Sequence, residues 1–180
     1  MDNRKSGVPD SFIGVDPGPN QFGWVLCSIE SCKVLKTDSA TDNHEFSSLL
    51  TKHRPAYLAI EKMSSYGGSP VGASTWNTND SIIELCMRWV VYCGTRPSLI
   101  SRRQVKSSLG LAASANDAQV NARLRELWGV VGTKGGRGPL YGVKSHAWAA
   151  LAVATAWHND KKRYTCDTFT QKRSDGPMHF

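Results

Sequence analysis

Apolar residues fall into short runs in the first third of the chain and recur at helical spacing in the last two thirds, and that change of period orders the elements. Residues 12–15 are a brief apolar strand that stops at Asp16-Pro17-Gly18-Pro19-Asn20, a series of turn formers. A second strand over 21–29 and a third over 33–37 follow, with Glu30-Ser31-Cys32 as a hairpin connection. Residues 43–52 predict a short helix burying Phe46, Leu49 and Leu50, closed by Arg54-Pro55. Residues 56–60 form a compact strand ending at Glu61. The stretch 64–75, rich in Gly and Ser, reads as a loop. Asn79 or Asp80 is then placed to cap a helix over 81–93, which Gly94 to Pro97 ends.

Residues 98–101 predict a strand, 103–109 a short helix, and 118–128 another helix capped by Asn116 or Asp117. The glycine-rich stretch 132–142 carries Lys134 and Arg137 and reads as a flexible basic loop. Ser145 caps the apolar helix 147–158. An antiparallel three-strand meander followed by α/β units predicts an α/β fold, a mixed sheet with helices on both faces. With 180 residues, no repeat and no linker, the expectation is one domain over 1–160 and a basic, partly ordered tail over 161–180.

Composition narrows the function classes. Apolar and charged fractions of 40% and 21% are those of a globular protein, and no apolar run is long enough for a membrane span. Residues 1–10 are polar and mixed in charge, unlike a secretory signal, so the expected location is the cytoplasm. The five cysteines (Cys27, Cys32, Cys86, Cys93 and Cys166) make neither a CxxC nor a zinc pattern, which points to reduced thiols, with Cys86 and Cys93 in the core. A formal charge of +7 attracts polyanions, nucleic acid foremost.

Three residues stand out chemically. Asp16 follows an apolar strand directly, with Pro17 to stiffen its turn and Gly18 to permit close approach. Taken alone it is also what an ordinary Asp-Pro-Gly turn looks like. Glu61 ends its own strand in the same way. If the two strands are neighbours, both carboxylates stand on one rim and can share a divalent cation. His146 opens a helix of small apolar residues, Ala147 to Ala154, able to lie close against a sheet and bring its first turn to that rim.

The segments Ile13-Gly14-Val15-Asp16-Pro17-Gly18 with Gly23-Trp24, Ala59-Ile60-Glu61, and Ser145-His146 with its helix resemble, in order and spacing, the three motifs of the RuvC-like Holliday junction resolvases. These belong to the ribonuclease H-like superfamily. The stretch from Lys134 to His146, with Gly138-Pro139-Leu140-Tyr141-Gly142 in it, is most similar to the bacteriophage branch. The resemblance implies that Asp16, Glu61 and His146 are catalytic and metal-binding, holding two Mg²⁺ or Mn²⁺ ions. A further acid is expected three residues after His146, where this chain has Ala149. Asp117 is either a compensating acid or a helix cap.

The implied activity is metal-dependent hydrolysis of branched DNA, a four-way junction above all, to 5′-phosphate and 3′-hydroxyl ends. Lys134 and Arg137, with Arg102, Arg103 and Lys106, are the expected phosphate contacts, and Tyr66 is placed to stack on an unpaired base. The helix 81–93 is apolar around much of its circumference, as a dimer face or a buried core helix would be; the family pattern favours a homodimer. Two other classes remain. A sugar-kinase or actin-like ATPase shares the Asp-and-Gly loop after its first strand, but needs a second domain and a second phosphate loop; no nucleotide cofactor is expected. A ribonuclease H-like module that binds DNA without cutting it would account for Ala149.

Overall fold

The computed structural model describes the backbone of residues 11–31, 33–63 and 72–174, and the side chains through Lys161. Three strands come first: β1 (Ser11–Pro17), β2 (Gln21–Ser28) and β3 (Val34–Asp42). A 3₁₀ turn (Asn43–Glu45), α1 (Phe46–His53), β4 (Tyr57–Lys62), α2 (Ala73–Cys93) and β5 (Ser98–Ser101) follow. The chain continues through α3 (Arg102–Ser108), α4 (Asp117–Trp128) and α5 (His146–Ser174). The sheet order is β3-β2-β1-β4-β5. The β1–β2 and β2–β3 pairs are antiparallel, and the β1–β4 and β4–β5 pairs parallel. The expected meander and mixed sheet are both present.

Alternation along β1 separates two cores. Phe12 faces the layer of α3, α4 and α5, with Val25, Ala59, Leu124, Leu140 and Leu151. Ile13 and Val15 face α1 and α2, with Trp24, Phe46, Leu58, Leu85 and Trp89. Helices thus cover both faces, as the order of elements predicts.

One contact sets the depth of the α5 layer. A Cβ added to Gly14 would lie 2.5 Å from the Ala150 carbonyl oxygen, and one on Gly23 would lie 2.7 Å from the Cβ of His146. Ala147, Ala150, Leu151 and Ala154 are fully buried against the sheet. Glycine on the strands and alanine on the helix therefore allow backbone-to-backbone approach.

Several boundaries differ from the sequence expectation. Helix α2 starts at Ala73, with Gly72 as N-cap, so its first two turns occupy part of the expected loop and Asn79 and Asp80 are internal. Those turns lack an apolar stripe and are held by hydroxyls bonded one turn back, Thr78 to Ser74 O and Ser81 to Asn77 O. Strand β3 runs five residues past Thr37, to Asp42. As an edge strand it needs no apolar alternation, and Thr37 and Thr41 tie it to Trp24 through side-chain hydrogen bonds. The first turn of α5 is closed by backbone carbonyls, Ala147 N–H to Lys144 O and Trp148 N–H to Ser145 O, with Ser145 at a φ of 38°. Helix α5 continues through position 160 to Ser174, across the expected start of the tail. Cys93 is exposed where a core thiol was expected, because the buried positions of α2 end at Trp89; Cys86 is half-buried. Cys32 and the side chain of Cys166 lie outside the described residues. Among those residues no helix is long and apolar enough to cross a membrane.

The Gly14 contact has a measurable consequence. Gly14→Ala should destabilise the protein by about 2 kcal/mol or more through overpacking against α5. Gly135→Ala, at a glycine with open space around it, should stay within about 0.5 kcal/mol of the parent. Urea unfolding monitored by circular dichroism checks both. Equal stabilities for the two variants would refute the close-packing account.

Candidate functional site

The strand register brings the first two acids together. Val15 pairs with Ile60 in the parallel β1–β4 ladder, so Asp16 and Glu61 occupy equivalent positions at the same end of adjacent strands. Their side chains are 18% and 14% exposed, enough to meet solvent from one direction only. His146, on the first turn of α5, reaches the same rim. Its Nδ1 lies 3.0 Å from Asp16 Oδ2. With Asp16 ionised, that bond takes a proton on Nδ1, which in the neutral ring leaves the lone pair on Nε2. The three residues line one cleft of about 570 Å³, together with Arg102, Asp117 and Ala149.

Arg102 and Asp117 enter from two helix N-termini. Ser101 caps α3 through a capping box with Gln104, which puts Arg102 at the first helical position, beside the end of β5. Asn116 caps α4 in the same way with Gln119. Asp117 is therefore not the cap, and its carboxylate is available to the cleft. Arg102 spans the gap: Nη1 is 3.6 Å from Glu61 Oε2, and Nη2 is bonded to Asp117 Oδ1. The basic residue assigned to DNA thus sits among the acids.

Two buried polar residues that periodicity did not single out hold the Asp16 turn. Asn43 Nδ2 donates to Ser81 Oγ at 3.0 Å and approaches the Gly18 and Pro19 carbonyls at 3.4 and 3.5 Å. Ser81 Oγ reaches Pro19 O at 3.0 Å. A turn fixed at two carbonyls leaves Asp16 little freedom, the kind of support that outer-shell groups give a site. Trp148, on the cleft wall, has the Arg125 guanidinium 4.9 Å from its ring centre. An Asn or Ser in a polar stretch gives no sequence signal of burial. Arg125 three turns from a cap gives none either.

The other predicted contacts lie outside the cleft. Residues 130–140 fold into a tight hairpin, bridged between Gly132 and Arg137, where a loose loop was expected. Gly132, at a φ of 73°, permits it: a Cβ there would meet Gly136 O at 2.3 Å. Arg137 stacks over Tyr141 at 4.8 Å, and Lys134 is exposed at the tip. Arg103 is exposed on α3, and Lys106 donates to Ala113 O at 2.8 Å. Tyr66 lies outside the described residues.

Charge in the cleft is costly. Burial raises Glu61 to about 7 from its ordinary 4.5, with Asp16 and Asp117 adding to the rise and Arg102 and Lys106 opposing it. Burial also raises Asp16, against the pull of His146 and Arg102. Three carboxylates and an imidazole are suitable donors for Mg²⁺ or Mn²⁺, so the chemistry of the set fits a divalent ion. The arrangement does not yet close on one: among the described residues no three such groups converge on a single ion position. The Arg102 guanidinium stands between Glu61 and Asp117 instead.

The fold recurs in solved structures. Thermus thermophilus RuvC in complex with Holliday junction substrate matches with a TM-score of 0.62 at 18% identity, over 85% of this chain and 95% of that one. The fold is that of RuvC. A second Thermus thermophilus RuvC structure matches at 0.60 and 19% identity, over 86% and 97%. The yeast mitochondrial Holliday junction resolvase Ydc2 matches at 0.52 and 16%, over 92% and 89%. No family model matches the chain, and no curated protein does. The RuvC fold accounts for the ladder that aligns Asp16 with Glu61.

The raised acid gives the metal-free protein a defined pH dependence. Between its ordinary 4.5 and about 7, folded Glu61 holds a proton that the unfolded chain has released. Its contribution is thus fully present below 4.5 and is lost as pH rises through about 7, on the order of 3 kcal/mol in all. Glu61→Gln should flatten this decline in urea unfolding between those pH values. An unchanged slope in the variant would contradict the assignment.

Proposed function

We propose that this chain is a metal-dependent, structure-selective endonuclease that hydrolyses phosphodiesters in four-way junctions or related branched DNA, leaving 5′-phosphate and 3′-hydroxyl ends. The 3.0 Å contact of His146 with Asp16, across 130 residues of sequence and on the rim that also bears Glu61, carries the reading. The RuvC fold supports it, since one structure of that fold is in complex with Holliday junction substrate. So does the +7 charge of a chain whose main cleft is acidic, because its cations are left for a polyanion elsewhere.

Asp16, Glu61 and His146, with Asp117 as a fourth donor, would hold two Mg²⁺ or Mn²⁺ ions. The chemistry such ions would supply there is activation of a water and stabilisation of the leaving oxygen. Asp16 orients the imidazole through Nδ1, so that Nε2 either binds an ion or accepts the proton of the attacking water. Asn43 and Ser81 keep the Asp16 turn still. Lys134, Arg137, Arg103 and Lys106 hold backbone phosphates, Arg102 meets a phosphate at the mouth of the cleft, and Tyr66 stacks on an unpaired base. The protein works in the cytoplasm.

Junction symmetry calls for two copies, and α2 offers the face. Trp76, Ile83, Met87, Val90 and Val91 fall within about 100° of its circumference, and Val91 is 88% exposed. Ile82, Leu85 and Trp89 occupy the opposite, buried side. The helix is thus a core helix on one side and an unpartnered apolar stripe on the other.

Asp16→Asn should lower the cleavage rate of a synthetic four-way junction by about a thousandfold or more while leaving its binding near the parent level. Mn²⁺ should support cleavage at least as well as Mg²⁺, because imidazole suits it better. Binding without nicking by the parent protein, unaffected by Asp16→Asn, would favour a non-cleaving DNA-binding module, a reading that Ala149 favours.

Met87→Glu should convert a homodimer to monomer in analytical ultracentrifugation at micromolar concentration. A monomeric parent would refute the α2 interface.

A further inference from the structure

Within the cleft, the one side chain whose chemistry opposes metal binding is also the one that holds the acids together. Arg102 emerges from the first position of α3, where the Ser101–Gln104 capping box fixes its backbone. Its side chain is only 20% exposed, and its two terminal nitrogens go to different carboxylates, Glu61 on β4 and Asp117 on α4. Asp117 is otherwise 80% exposed, on an element that shares no strand with the rim. Its neighbour Arg103 is exposed and outside the cleft.

Asp16, Glu61 and Asp117 line one cleft, so it needs positive charge whether or not an ion is bound. A guanidinium meets that need by geometry, since its planar fork can bond two carboxylates at once. A divalent ion needs the same oxygens, and a dication at ~4 Å from a guanidinium is strongly repelled. Both cannot be seated together. This explains why the donors are suitable in kind and yet do not converge on an ion position.

Resting on the nuclease reading above, we infer that Arg102 is the resident cation of the cleft: it joins Glu61 to Asp117 before metal arrives and must leave for a divalent ion to bind. The displaced guanidinium stays tethered at the cleft mouth, where a phosphate of the bound DNA offers it a bidentate partner. Ion entry and phosphate capture are then linked through one side chain, and Arg102 is a competitor of the metal in the free protein.

Calorimetric titration of Mn²⁺ into the full chain without DNA tests this on the parent, Arg102→Gln and Arg103→Gln. Arg102→Gln should bind Mn²⁺ about tenfold tighter than the parent. Arg103→Gln, which removes the same charge outside the cleft, should stay within about twofold. Arg102→Lys keeps the charge but cannot span two carboxylates, and should fall between parent and Arg102→Gln; it also serves if the glutamine variant does not fold. In the parent, the Arg102 Nη–H resonances should be protected from exchange without metal and lose that protection on adding Mg²⁺. Equal or weaker Mn²⁺ binding by folded Arg102→Gln and Arg102→Lys would overturn the inference and leave the metal-dependent reading intact. Absence of binding by all four proteins would sink both. Binding by the Arg102 variants alone would support it in its strongest form.

Discussion

The approach of α5 to the sheet is the constraint from which the site follows. Where Gly14 faces Ala150 and Ala154, and Gly23 faces His146, helix and strand backbones touch with no side chain between them. Such packing forgoes the large apolar area that a leucine pair would bury and gains proximity instead. Because the helix lies at backbone distance, its first turn ends level with the strand ends. His146 then needs only its own side chain to reach Asp16. A methyl group added at Gly14 or Gly23 would lift the helix and move the imidazole away from the carboxylate. Fold and candidate site are consequences of one packing distance.

The same geometry creates the electrostatic problem that the rest of the cleft answers. Strand ends in a sheet covered on both faces are poorly solvated, so carboxylates placed there lose hydration before they gain a partner. Glu61 stands at about 7 even with Arg102 beside it. The fold brings countercharge from one helix start, Arg102 on α3, and a further acid, Asp117, from another, each start fixed by a capping box. Asp117, at the first position of α4, also sits at the positive end of that helix dipole, which favours its charge. Arg102, at the first position of α3, has the opposite relation to its own helix. Its placement is therefore stabilised by the two carboxylates and not by the helix that carries it.

What could be read from the chain divides along this line. Strands β1, β2 and β4 were legible because buried strands leave continuous apolar runs, and the edge strand β5 from Leu99-Ile100 alone. Asp16, Glu61 and His146 were legible because each stands where such a run stops or a small-residue helix begins. The second half of β3 and the first two turns of α2 were not, since an exposed edge strand and a hydroxyl-braced helix need no apolar period. Asn43 and Ser81 were invisible for a different reason: their burial depends on two segments meeting 38 positions apart. Arg102 was singled out as a phosphate contact, and the fold places it beside two carboxylates. Sequence records its charge but not that β5 ends beside β4, the adjacency that puts Glu61 within reach of its guanidinium.

Ala149 can be understood in the same terms. A carboxylate at that position would ride on α5, the most rigidly packed element, and would stand with His146 whatever the rest of the chain did. With alanine there, the nearest acid available to the cleft is Asp117, which belongs to α4 and is joined to the rim through the Arg102 bridge. On the reading proposed above, the donor set is no longer carried by the sheet and α5 alone, and its completion depends on where α3 and α4 sit. A nucleic acid that presses on Arg103, Lys106 or the start of α4 then acts on the geometry of the ion site itself. On that reading, alanine at position 149 leaves a site whose closure responds to what lies across it.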